Sequence, residues 1–124
     1  MKLFSTLFIV MSLMISYGGE MIRYNPSNSH IEYSNNQGRS WYARYTSSCI
    51  GNVKCLTPCG NELLLCSDKG VFYSNNSGRA WYLRNSTYKN FVDITDAGKE
   101  LLASTDDGHV YYSNNQGRAW YRRR

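Results

Sequence analysis

Apolar residues in this chain come in short bursts, each ended by a run of small polar residues and glycine. The bursts are three to six residues long and mix β-branched, aromatic and leucine side chains with polar ones. That pattern predicts strands and no amphipathic helix. The strands are expected near Glu20 to Tyr24, His30 to Tyr33 and Trp41 to Tyr45. A second set is expected near Val53 to Leu56, Glu62 to Cys66, Val71 to Tyr73 and Trp81 to Arg84. A third is expected near Phe91 to Thr95, Glu100 to Ser104, His109 to Tyr112 and Trp120 to Arg123. Between them stand Asn25-Pro26-Ser27-Asn28-Ser29 and the glycines Gly60, Gly70, Gly98 and Gly108, which punctuate hairpins.

One eight-residue stretch recurs three times. It reads S-N-N-Q-G-R-S-W from Ser34 to Trp41, S-N-N-S-G-R-A-W from Ser74 to Trp81, and S-N-N-Q-G-R-A-W from Ser113 to Trp120. The first serines are 40 and then 39 residues apart. Each copy follows an apolar run ending in tyrosine and leads into Trp-Tyr-x-Arg. A fixed period of this size, with one strand-turn-strand per copy, signals blades or an array. Gly38, Gly78 and Gly117 stand where a tight hairpin needs positive φ. The Asn pairs before them are expected to bond their own backbone and to tolerate left-handed geometry. The serines are expected to cap backbone groups. Trp41, Trp81 and Trp120 are expected to open the return strands and bury their rings.

This stretch resembles the Asp-box, or BNR repeat, usually written S-x-D-x-G-x-T-W. Ser34, Gly38 and Trp41 match, as do Ser74, Gly78, Trp81 and Ser113, Gly117, Trp120. Asn36, Asn76 and Asn115 replace the acid, and Ser40, Ala80 and Ala119 replace the threonine. An amide keeps an acceptor oxygen without the charge, so the turn can survive. The resemblance implies a sialidase-like or sortilin-like β-propeller, with the turn joining the third and fourth strands of a blade as framework and not as catalyst. The expected fold is all-β: a β-propeller-like array of about three four-stranded blades. Propellers have four to eight blades, so three are too few to close as a monomer. Two chains would supply six, and self-association is the expected way to cover the end blades.

At the N-terminus, Lys2 precedes an apolar run from Leu3 to Ile15, followed by Ser16-Tyr17-Gly18. This reads as a signal peptide over residues 1–18, leaving 19–124 as the repeat domain and placing the protein outside the cytoplasm, secreted or periplasmic. The run is too short to span a membrane. In a rival reading, Gly18-Gly19-Glu20 aligns with Gly60-Asn61-Glu62, so Met11 to Met14 supply the first strand of the first blade. Residues 1–18 would then be retained and the location cytoplasmic.

The length suits a single domain. The net charge of +5 is spread through the repeats, apart from Arg122-Arg123-Arg124, and no nucleic-acid-binding motif accompanies it. Cys49, Cys55, Cys59 and Cys66 surround the second unit. In an exported chain an even number favours disulfides. Cys55 and Cys66 lie on two arms of one hairpin, leaving Cys49 for Cys59. Unpaired buried thiols are the alternative. The spacing lacks the C-x2-C pairs of common zinc sites. His30 and His109 occupy matching turn positions.

No catalytic residue, cofactor or metal is expected. Arginines and tyrosines recur with the blades, whereas catalytic groups of a propeller come from different places in different blades. No arginine motif typical of sialidase N-termini is present. Asp93, Asp96, Asp106 and Asp107 all fall in the third unit, so nothing singles out the pair of carboxylates that glycosidases need. The expected function is a non-catalytic binding module that takes a glycan or a protein ligand. Tyr42 with Arg44, Tyr82 with Arg84 and Tyr121 with Arg123 are its candidate contacts. Two other readings remain open. One is a sialidase-like glycoside hydrolase fragment or subunit. The other is an assembly protein that packs against its own copies.

Overall fold

The computed structural model describes residues 13–123. Residues 1–12, most of the expected leader, lie outside the described residues, as does Arg124. The described chain is all-β and forms three four-stranded antiparallel sheets, none closed into a barrel. The first contains β1 (Met14–Tyr17), β2 (Glu20–Asn25), β3 (His30–Ser34) and β4 (Tyr42–Tyr45). The second contains β5 (Val53–Cys59), β6 (Glu62–Ser67), β7 (Gly70–Ser74) and β8 (Tyr82–Asn85). The third contains β9 (Phe91–Asp96), β10 (Leu101–Thr105), β11 (Val110–Ser113) and β12 (Tyr121–Arg122). In each sheet the strands lie side by side in chain order. A single 3-10 turn, Ser48–Ile50, joins the first sheet to the second.

The sheets stack face to face as blades of an incomplete propeller-like array. Their first strands meet, since β5 packs on both β1 and β9. Alternation along each strand sends its side chains to opposite faces of the sheet, and in the second blade both faces lie in an interface. Ile22, Tyr24 and Ile31 of the first blade share a buried cluster with Val53, Leu56, Leu63, Leu65, Phe72 and Trp81 of the second. Cys55, Leu64, Cys66 and Val71 leave the second blade on its other side. They pack with Phe91, Ile94, Leu101, Ala103 and Trp120 of the third. The second blade is therefore apolar on both faces, and β6 is buried along its whole length.

β1 occupies part of the apolar run read above as a leader. Met14↔Arg23 to Tyr17↔Glu20 pair it with β2. It shares only Met14 with the Met11 to Met14 segment that the repeat alignment assigns to a first strand, and runs on to Tyr17. Trp41, Trp81 and Trp120 close their turns one residue before β4, β8 and β12, and do not open those strands as expected. Their rings fold back over the turn instead.

Candidate functional site

Each eight-residue turn is built around one hydroxyl and one amide. Ser74 Oγ donates to Asn76 Oδ1 at 2.8 Å and accepts the amide N–H of Gly78 at 2.9 Å. Asn76 Oδ1 also accepts the N–H of Ala80 at 2.9 Å. Ser34 with Asn36, and Ser113 with Asn115, repeat this arrangement. The asparagine thus works through its oxygen, which is what a carboxylate would offer. The left-handed residues are not the asparagines. They are Gln37 and Gly38, Ser77 and Gly78, and Gln116 and Gly117. The asparagine side chains are committed to the N–H groups across the turn, and the next two residues carry the reversal.

The tryptophans lock the turns onto the neighbouring blade. Trp81 and Trp120 donate Nε1–H to the carbonyls of Gly78 and Gly117, each at 3.0 Å. Gly78 closes on Ile22 and Ile31 of the first blade, and Gly117 on Leu64 and Val71 of the second. Trp41 has no described blade before it. It is half-buried, and the guanidinium of Arg23 lies 4.0 Å above its ring.

The candidate arginines are bound up in a second repeated device. Arg84 makes two bonds to Glu62, at 2.5 and 3.1 Å, and lies 3.9 Å over the ring of Tyr73. Its Nη1 also donates to the carbonyl of Gln116, in the turn of the next blade, at 3.0 Å. Arg44 does the same with Glu20, Tyr33 and the carbonyl of Ser77. Arg123 pairs with Glu100 over Tyr112, but no described turn follows it. Its side chain is 45% exposed, against 5% for Arg44 and Arg84. Arg44 and Arg84 are therefore occupied in joining blades.

The candidate tyrosines have a different setting. Tyr42, Tyr82 and Tyr121 are 54%, 52% and 51% exposed on the outermost strands. Each sits opposite another tyrosine in register and leans on its ring at 5.6–5.8 Å, as in Tyr73–Tyr82. The inner ring is the one under the arginine, so each exposed ring rests on a fixed support.

Two shallow grooves lie at the end of the array where these turns meet the first hairpins. One, of about 360 Å3, runs between Glu20, Met21, Ser34 and Gln37. The other, of about 330 Å3, lies between Gly60, Asp96, Lys99 and Gln116.

Cys49 is exposed, and Cys55, Cys59 and Cys66 are buried. Cys55 and Cys66 face each other in register, with Sγ atoms 2.8 Å apart. That bond, together with burial, raises the Cys66 thiol well above its ordinary range. The expected partners Cys49 and Cys59 are separated by β5, whose ends lie roughly 20 Å apart. Cys49 is exposed in the 3-10 turn before it, and Cys59 is buried at its far end. His109 lies 3.4 Å from Asp107. Asp107 accepts from Thr105 and Asp96 accepts the N–H of Gly98, so both carboxylates cap turns. Among the described residues, no group of three or more His, Cys, Asp or Glu side chains is placed to hold a metal.

No protein-family model matches the sequence, and no curated protein does. The fold does match a solved structure, YCF48 bound to D1 peptide, a β-propeller protein of the BNR and sialidase-like kind. The TM-score is 0.66 at 14% identity. The match covers 91% of this chain and 40% of that one, so this chain spans well under half of its structural neighbour. At that identity the likeness shows the fold alone.

One element of the site escaped sequence reading. Glu20, Glu62 and Glu100 recur in step with Arg44, Arg84 and Arg123. The co-repetition of opposite charges was the available signal for the ion pairs.

Proposed function

We propose that this chain is a non-catalytic binding module of the Asp-box type, and that its tyrosine row recognises an extended, acidic protein segment. The observation that carries the reading is the exposure of Tyr42, Tyr82 and Tyr121 at one equivalent position per blade, each on a supporting ring. Rings already held in place lose little freedom on binding, and aromatic residues are the commonest anchors of interfaces. One anchor per blade suits a ligand that runs along the rim. The exposed arginines Arg39, Arg79, Arg118 and Arg122 favour negative charge in that ligand. The bound peptide of YCF48 supports a peptide over a glycan.

The test is a binding screen of acidic peptides and of glycans, with Tyr82→Ser and Tyr121→Ser beside the parent. Peptide binding that weakens with each loss of a tyrosine, while the thermal melt is unchanged, supports the reading. Binding of glycans alone, or turnover of a fluorogenic sialoside, overturns it.

Export through residues 1–18 belongs to the same reading. A cut after Gly18 would remove β1 and leave the first sheet with β2, β3 and β4. Mass spectrometry of the native protein decides this: a chain beginning at Gly19 supports export, and an intact Met1 on a soluble cytosolic species overturns it.

A further inference from the structure

Cys55 and Cys66 stand directly opposite each other on β5 and β6, the paired strands of the second blade. Residues in register on antiparallel strands have Cα atoms about 4.5–5.5 Å apart, inside the span of about 4.4–6.8 Å that a disulfide bridges. The Sγ atoms are already 2.8 Å apart, so a bond between them needs little side-chain movement. Neither of the other cysteines is so placed. Cys59 lies at the far end of β5, roughly 13 Å from Cys55, and is in register with Glu62. Cys49 is exposed in the 3-10 turn before β5.

The pair is also matched in sequence. The same two positions hold Leu13 and Tyr24 in the first blade, and Asp93 and Ser104 in the third. Among the three blades, only the middle one carries cysteine at either position, and it carries it at both. Cysteine used as a small apolar residue for packing needs no such partner across the strands. A bridge does.

Both side chains point into the interface with the third blade. Cys55 and Cys66 are 0% and 1% exposed, and they share a buried cluster with Phe91, Ile94 and Trp120. β9 lies across both β5 and β6. Thr57, the next residue of β5 on the Cys55 face, donates its hydroxyl to the Ile94 carbonyl at 2.6 Å. The bond from Cys55, together with burial, holds the Cys66 thiol well above its ordinary range. The folded chain therefore presents little of the thiolate that does the attacking. Pairing of β5 with β6 brings the two sulfurs together, and docking of the third blade shuts them off.

We propose that Cys55 and Cys66 form a disulfide with a disulfide-bearing oxidant while the chain folds, and that the third blade then seals the bridge. One cysteine, as its thiolate, attacks a sulfur of the oxidant and breaks its S–S bond, releasing one thiol. The other cysteine attacks the mixed disulfide so formed and releases the second thiol. Two cysteine thiols are oxidised to one disulfide, the two sulfurs of the oxidant are reduced, and the two cysteine protons pass to them. In the cell such oxidants belong to the compartments that exported chains enter. The test supplies one directly, so its outcome does not depend on where the chain resides.

The reduced, unfolded 124-residue chain is refolded in a mixture of reduced and oxidised glutathione. Remaining thiols are then blocked with iodoacetamide, and the peptides are mapped. The expected product has Cys55 joined to Cys66, with Cys49 and Cys59 alkylated. Chain folded first in the reduced state and then given the same buffer should close the bridge roughly tenfold more slowly, or slower still. The bridged form should melt roughly 10 °C above the reduced one, as closing a loop stabilises. Cys55→Ala should abolish that dependence on redox state, which packing alone would not create. Should refolding aggregate the chain, soluble protein held in urea just below its unfolding midpoint serves, since opening there exposes the same pair. Alkylation of all four cysteines, or a main product that pairs Cys49 or Cys59, overturns the bridge. Equal rates of closure in the folding and the folded chain overturn the sealing.

Discussion

Arg84 and Gln116 belong to different blades, yet the Arg84 guanidinium reaches the Gln116 carbonyl at 3.0 Å while held by Glu62. One side chain thus neutralises a nearly buried carboxylate and ties a turn of the next blade to its own sheet. Arg84→Ala would strand Glu62, whose side chain is 11% exposed, and release the turn. Breaking a buried pair from one side typically costs about 3–5 kcal/mol. Arg123→Ala, at the exposed equivalent, should leave the melt of a dilute sample almost unchanged. Equal losses from the two variants would mean that burial and the turn contact contribute nothing.

Acid should loosen the first blade. The bonds from Arg44 hold the Glu20 carboxyl below its usual range. Burial acts to raise Glu32, but bonds from Asn28, Arg23 and Asn25 outweigh it and leave that carboxyl lowered too. A carboxylate depressed by folding contributes stability that is full above the unfolded value, here 4.5, and is lost as pH falls through the folded one. Stability should therefore decline as pH drops below about 4.5. Glu32→Gln should make the decline shallower. A melt that does not change between pH 5 and pH 3 would contradict the role given to these pairs.

The thiols should divide sharply by reactivity. Cys49 is exposed, while Cys55, Cys59 and Cys66 are buried, and burial raises the Cys59 thiol as well. A thiolate is the reacting species. A brief alkylation of the reduced native protein should label Cys49 alone, with the other three labelled only after unfolding. Peptide mapping reads this directly. Rapid labelling of Cys66 would mean that the interface between the second and third blades opens readily.

Much of this fold is legible in the sequence, because a repeat shows the same physical problem solved three times. Strand positions follow from the bursts that end in Tyr33, Tyr73 and Tyr112, and most agree with the structure to within one or two residues. The turn geometry follows from serine, asparagine and glycine at fixed offsets. What each repeated side chain touches is less legible. Arg44 and Arg84 read equally well as rim contacts or edge charges until the turn of the next blade is seen beside them. Their exposure depends on a neighbour some 32 or 33 residues away in sequence, and no local pattern reports that. The Asn pair misleads for a similar reason. Asn76 is suited to left-handed geometry, but its oxygen is needed for two bonds in the turn, so Ser77 and Gly78 take the reversal. The tyrosines stay exposed because the outermost strand has no further strand beyond it, as its place in the repeat predicts.

The central claim is that the recurring serine, asparagine, glycine and tryptophan are framework, and that recognition belongs to the rim tyrosines. The thermal melt of Trp81→Ala tests it most directly. Trp81 is 6% exposed and packs between the first two blades, where truncating a buried aromatic typically costs about 3–5 kcal/mol. For a domain of this size that is a fall of roughly 10 °C or more. Asn76→Asp, measured beside it, should melt at or slightly above the parent, because the carboxylate keeps both bonds that the amide oxygen accepts. An unchanged melt for Trp81→Ala, with ligand binding lost, would contradict the account and make the turn itself the binding site.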